Sequence, residues 1–241
     1  MLIKTRAIVL HSIKFGESQY IVDMFAEETG RVAFIQKVLP SGRGKIRKQL
    51  FQPLSLLDIE FDLRPKVRLQ RLKEARLLVP YATIPFDPYK LSLTIFVAEF
   101  LLHVTRNEQQ NNPLFEYVAA SLQWLDGCER SFSNFHLVFM MRLSLFVGFF
   151  PNLDKAGDGV FFDFRAGCFV RQQPLHPDFL PPADAARLRV LMRMTFDNMH
   201  LFAMSRVERN LCVDFILKYY RLHFPDFPEM KSLDVMKSLF A

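Results

Sequence analysis

Cysteine is scarce in this chain of 241 residues: Cys128, Cys168 and Cys212 stand far apart with no paired spacing. A disulfide framework is thereby excluded, and a reducing compartment, the cytoplasm, is expected. Long apolar runs are missing too. The longest, FHLVFMMRLSLFVGFF from Phe135 to Phe150, is broken by His136 and Arg142 and falls short of the roughly 18 to 20 residues that span a bilayer. It reads as a helix buried among other helices, and no membrane partner is expected. The opening MLIKTRAIVLHS carries Lys4 and Arg6 before a short apolar run without a small-residue cleavage pattern, so it reads as a first strand rather than a signal peptide.

Signatures of catalysis are equally sparse. There is no G-x-S-x-G, no phosphate loop ending in GK[ST], no G-x-G-x-x-G after a strand and no H-E-x-x-H. GRGK at Gly42 to Lys45 has no Ser or Thr after its lysine to hold magnesium. His11, His103, His136, His176, His200 and His223 are scattered, and none pairs with a cysteine at ligand spacing. Asp154, Asp158 and Asp163 sit in a turn-rich stretch where aspartates serve as solvated turn formers. The expectation is a protein that is not an enzyme, with no cofactor and no metal.

Positive charge, by contrast, is concentrated. Met1 to Pro80 hold 15 Lys plus Arg against 8 Asp plus Glu, a balance of +7, whereas the remainder holds 16 against 17, or −1. The pattern changes at the same place, from short alternating segments to long helical ones. Three prolines in VPYATIPFDP, Val79 to Pro88, mark the junction. Two domains are expected, 1–80 and 81–241.

The basic third reads as five strands: AIVLHSI, QYIVDMFA, RVAFIQKV, LSLLDIEFDL and VRLQRLKEARLL. In the fourth, Leu57, Ile59, Phe61 and Leu63 alternate with Leu56, Asp58, Glu60 and Asp62. Glu28-Thr29-Gly30 reads as a hairpin turn with Gly30 free to take a positive φ. Five short strands with long loops predict a small OB-type β-barrel, although an SH3-like barrel fits the periodicity almost as well. The rest reads as helices over 88–106, 112–125, 135–150, 183–204 and 205–219, the last opened by Ser205 three residues before Glu208, a capping-box spacing. The fold class is therefore α+β, a five-stranded OB-type barrel followed by a helical domain.

Between two of these strands runs KVLPSGRGKIRKQLFQP, Lys37 to Pro53. Cations so closely spaced repel one another unless an anion separates them. A nucleic-acid backbone is such an anion, bound by counterion release without sequence readout. The candidate contacts are Lys37, Arg43, Lys45, Arg47 and Lys48, with Arg64, Lys66, Arg68 and Arg71 on the later strands; Phe15, Tyr20 or Phe51 offer stacking faces. RNA fits almost as well as DNA at this stage, so an RNA-binding or translation-associated OB protein stands as the alternative.

AIVLHSIKFGESQYIVDMFAEETGRVAFIQKV followed by QLFQPLSLLDIEF resembles the RecO recombination-mediator family in its opening strand, its hairpin and the basic loop before Q-P. FVGFFPNLD and YYRLHFPDFPEMKSLDVM are similar to that family's middle and C-terminal stretches. The resemblance implies an N-terminal OB barrel, a helical domain and no enzymatic site. It further implies binding of single- and double-stranded DNA, annealing of complementary strands, and a partnership with RecR that loads RecA on strands coated by the single-strand-binding protein SSB. Location in the cytoplasm, on the nucleoid, follows from that role.

Many members of the family carry a four-cysteine zinc site after the L-D step. Here Ala156 and Gly159 stand at the first pair of positions and Arg171 in the second, leaving Cys168 alone. The loop at about 152–182 is thus a degenerate, cysteine-poor version, expected to hold together by packing of Phe161, Phe162, Phe164 and Phe169. The family also recognises the acidic, phenylalanine-ended C-terminal tail of SSB through its helical domain. Such a tail needs an apolar pocket beside a cation, and Arg142 near Phe139 and Phe146 is the candidate.

Overall fold

The computed structural model describes residues 1–38, 46–224 and 226–239. It divides into two compact units, Met1–Gly127 with Met230–Met236, and Cys128–Glu229 with Lys237–Ala241.

The first unit is built on β1 (Leu2–Phe15), β2 (Gln19–Ala26), β3 (Gly30–Lys37), β4 (Leu56–Asp62), β5 (Leu69–Gln70) and β6 (Leu72–Leu77). They form one sheet in the order β5-β3-β2-β1-β4-β6, antiparallel except for the parallel pair β3 and β5. Alternation explains the core: Val22, Met24 and Ala26 of β2 and Leu57, Ile59 and Phe61 of β4 point inward, with Phe34 meeting Phe61 edge-on at 5.0 Å.

The architecture is α+β and compatible with an OB type, with two corrections to the five-stranded closed barrel. Among the described residues the sheet has six strands, and the ladder is open. The run expected as one strand, 67–78, breaks at Arg71: Leu69 and Gln70 pair with β3, whereas Leu72–Leu77 pair with β4. One segment serving two partners must bend between them. A register shift opposite Glu60 and Phe61 leaves Lys73 as an extra residue and supplies further twist.

Gly30 closes the β2–β3 hairpin at φ +68, and a Cβ there would overlap the backbone of Glu108 and Gln109. Glycine is therefore required twice over, for conformation and for space. A short 3₁₀ turn, Lys48–Phe51, drops Phe51 into the core beside Ile46.

Two helices complete the unit, α1 (Pro88–Val104) and α2 (Asn112–Gly127). Asp87 caps α1 by accepting from the N–H groups of Tyr89 and Lys90, with proline at the first helical position. Phe115 of α2 lies 6.1 Å from Phe25 of β2, and the Arg31 guanidinium donates to the Leu102 carbonyl at 3.0 Å. The proline-rich junction is pinned to α2: the Asp126 carboxylate accepts from the N–H groups of Ala82, Thr83 and Ile84 at 2.8, 2.8 and 2.9 Å. Buried Lys90 donates to Thr83 Oγ1 and to the Asp126 carbonyl. Glu99 of α1 holds the returning chain by accepting from the N–H groups of Lys231 and Ser232.

The second unit contains α3 (Phe135–Phe146), the strands β7 (Phe161–Asp163), β8 (Cys168–Val170) and β9 (Phe179–Leu180), then α4 (Pro182–Arg193) and α5 (Arg206–His223); α6 (Leu233–Ser238) follows in the chain. The helix expected over 135–150 stops at Phe146, ahead of Gly148 at φ +87. That expected over 183–204 stops at Arg193. Thr195 and Asn198 bond each other's backbone N–H, and the Asn198 amide donates back to the Arg193 carbonyl, so local side-chain bonds outcompete helix propagation. Ser205 and Glu208 form the expected capping box. In the 152–182 loop, Phe162, Phe164 and Phe169 are buried around Tyr219, while half-buried Phe161 packs on Phe179. Among the described residues no group of three or more His, Cys, Asp or Glu could hold a metal ion.

Candidate nucleic-acid interface

The cations of the sheet unit fall into two sets. Lys4 pairs with Glu60, Arg6 with Glu27 and Glu116, Arg31 with Asp23, Lys73 with Asp62 and Arg76 with Glu74. The Glu27 and Glu116 carboxylates push the Arg6 guanidinium further above its usual range, and Lys73 draws the Asp62 carboxyl below its own. These side chains are committed to the fold. Lys14, Lys37, Arg47, Lys48, Arg64, Lys66, Arg68 and Arg71 are all exposed, and none closes an ion pair among the described residues. Arg43 and Lys45 lie outside the described residues.

Seven of the sequence candidates thus stand at the surface, Lys37, Arg47, Lys48, Arg64, Lys66, Arg68 and Arg71, in two groups on one sheet. The first gathers where β1, β2 and β3 end. Strand register sets Lys14 and Gln36 on either side of Tyr20, and Phe15 and Lys37 on either side of Gln19. The Lys48 ammonium lies 5.7 Å from the centre of the Tyr20 ring, a cation–π contact that brings the 3₁₀ turn to the same place. The second group surrounds the turn between β4 and β5. Buried Gln70 organises it, accepting from the Arg64 N–H at 3.0 Å and donating to the carbonyls of Arg64 and Val67. A recess of about 160 Å³ opens beside it, lined by Arg64, Arg71 and the Lys73–Asp62 pair.

Of the aromatic candidates, Phe15 is 52 % exposed and Tyr20 half-buried. Phe51 is a correction: at 2 % exposure it is a core residue, because the 3₁₀ turn rotates it inward. Lys14 was missed from sequence, although its place before the Phe15-Gly16 turn, at the end of an alternating strand, carries the signal. In the second unit, Phe139 is fully buried, Arg142 is half-buried with Nε donating to the Met194 carbonyl at 3.1 Å, and Phe146 is half-buried. Arg142 thereby satisfies a carbonyl at the end of α4. Asp154 and Asp158 line an open recess of about 810 Å³ with Lys155 and Arg171; Asp163 instead accepts from the N–H groups of Arg165 and Ala166 as a turn former.

A sheet carrying unpaired cations, followed by helices, has the layout of a known family. The N-terminal model of recombination protein O matches residues 1–81, and its C-terminal model matches residues 85–233. The chain belongs to the RecO family. Relatives described as DNA repair protein RecO include those of Phocaeicola vulgatus, 50 % identical over 241 residues, and Bacteroides fragilis, 48 % identical over 241 residues, each matched over the full length of both chains. That of Porphyromonas gingivalis is 36 % identical over 247 residues, again across both full lengths. RecO is a DNA repair family, and among the described residues no helix is long and apolar enough to cross a membrane.

Proposed function

We propose that this chain is a non-catalytic mediator of DNA repair and recombination that binds single- and double-stranded DNA and anneals complementary strands. The observation carrying this reading is the separation of cations within one sheet: some are consumed by internal carboxylates, while Lys14, Lys37, Arg47, Lys48, Arg64, Lys66, Arg68 and Arg71 are left for an external polyanion. Membership of a family whose relatives are named for DNA repair supports DNA rather than RNA as that polyanion.

The physics of annealing is then simple. Two single strands repel, and a cationic surface that neutralises phosphates on both lowers the barrier while leaving base edges free to pair. No bond is made or broken by the protein. Residues 1–80 supply the strand contacts, with Arg43 and Lys45 adding to the charge that sequence assigns there, and 81–241 serves as docking scaffold. In the cell the protein works in the cytoplasm on the nucleoid, and with RecR it helps load RecA onto SSB-coated DNA. For the SSB tail, half-buried Arg142 and Phe146, one helical turn apart on α3, would supply a cation and an aromatic ring, with buried Phe139 on the same helix.

The test is an annealing assay with complementary strands coated by SSB. The expected result is protein-dependent duplex formation that needs no nucleotide or metal. Absence of annealing, or nuclease activity with magnesium, contradicts the reading. Titration of the SSB tail peptide tests the second site: Arg142→Ala should weaken binding about tenfold, on the scale of one charge-assisted contact, and unchanged affinity removes Arg142.

A further inference from the structure

The sheet of the first unit has two ends. β5 forms one with only two residues, Leu69–Gln70, whereas β6 runs for six, Leu72–Leu77, along the other. Among the described residues β6 pairs with β4 alone, and no strand lies against its second row of backbone N–H and C=O groups. An edge of this length is a template for one more strand. Leu77 and Leu78, 46 % and 43 % exposed, add apolar surface beside it.

The side chains of this edge say which strand fits. Glu74 lies across from Glu60 and Arg76 from Asp58, so both project from the outer face, while Ala75 turns into the core. Within the chain Arg76 bonds Glu74 at 3.1 Å with their side chains 76 % and 45 % exposed, a solvated pair that holds little energy and is readily shared. A charged edge ordinarily repels other strands. Repulsion, however, requires like charges to meet, and this edge is complementary to itself. Laid antiparallel against a second copy about a two-fold axis through Ala75, Glu74 faces Arg76 of the second copy and Arg76 faces its Glu74. Four charges then alternate in sign around a square, each pair opposed across the strands. Moving the axis to Glu74 or to Arg76 would set like charges in contact, so charge selects one register.

We infer that the open edge of β6 joins two copies of this chain, antiparallel and edge to edge, with Ala75 on the two-fold axis. A single strand pair is a small contact, so the association is weak and concentration-dependent. Its consequence rests on the DNA-binding reading above: a pair carries two cationic surfaces and can hold two strands on one particle, as annealing requires.

The experiment measures the mass of the full chain in solution by analytical ultracentrifugation, without DNA, from micromolar to near-millimolar concentration. Wild type should shift with concentration from the mass of one chain to that of two. Glu74→Arg and Arg76→Glu each set like charges across the axis and should weaken association at least about tenfold. The double change Glu74→Arg with Arg76→Glu restores opposite charges and should associate as wild type does. An equimolar mixture of the two single variants should also form pairs, because each meets the complement of its own edge. Both positions lie on the outer face, and the melting temperature of each variant checks that it is folded. A wild type that stays single at every concentration refutes the edge, as do single variants that associate as readily as wild type or a mixture that stays single. Because mass is read without DNA, those outcomes leave the DNA-binding reading standing, and absent annealing would remove that reading with the pair intact.

Discussion

Gly30 and Gly16 have nearly the same backbone, φ +68 and +66, yet only at Gly30 would a Cβ collide with a neighbouring segment; around Gly16 there is open space. Left-handed backbone alone costs an alanine about 1 kcal/mol, so Gly16→Ala should lower stability by that amount. Gly30→Ala must also displace the backbone of Glu108 and Gln109 and should cost about 2 to 4 kcal/mol. Urea denaturation distinguishes them, and equal effects would mean that the 108–109 segment yields freely. His136 makes a second prediction at this scale. Burial, aided by Arg209, depresses its pKa from 6.5 to about 3. Above pH 6.5 both folded and unfolded chains hold it neutral. As pH falls below 6.5 only the unfolded chain takes up the proton, so stability is lost progressively down to about pH 3. His103 and His223, also depressed by burial, act in the same direction. Measured between pH 7 and 4, the wild-type unfolding midpoint should fall more steeply than that of His136→Leu; parallel curves would show that His136 ionises in the folded state.

At the scale of elements, the junction between sheet and helices is a fastening rather than a loose tether. Burial works against the Asp126 carboxylate, but the N–H groups of Ile84, Ala82 and Thr83 outweigh it and hold its pKa below the usual value. Asp126→Ala should cost about 2 to 3 kcal/mol, read as a lower melting temperature with faster proteolysis between Pro80 and Asp87. An unchanged melting temperature would mean that water replaces the carboxylate at no cost. In sequence, the strands were legible because alternation survives in β4, where from Leu57 to Asp62 buried and more accessible positions follow the period of two. The break at Arg71 was not, since it depends on β3 lying alongside, a partner some thirty-five residues back in the chain. The overlong fourth helix has the same origin in reverse: Thr195 and Met199 keep helical spacing, and only the Thr195–Asn198 bonds end it. Phe51, between Leu50 and Gln52 at the end of a basic, proline-terminated stretch, reads from sequence as a stacking face, whereas the 3₁₀ turn places it in the core.

Across the whole molecule, the concentration of positive charge in the first eighty residues was readable from a count, but which cations are free was not. Glu60, Asp62 and Asp23 reach their partners across strands, so Lys4, Lys73 and Arg31 lose availability through register alone. The remaining cations stay exposed without an internal carboxylate among the described residues, and counterion release predicts what they do. Each phosphate contact removed should lessen the dependence of log affinity on log salt by about 0.7 for a single strand. The most direct measurement is that slope for wild type and for a variant with Lys37, Arg47, Lys48 and Arg71 changed to alanine. A surface that grips DNA through these side chains predicts a slope shallower by about 2 to 3 with the fold intact; an identical slope in both proteins would contradict it.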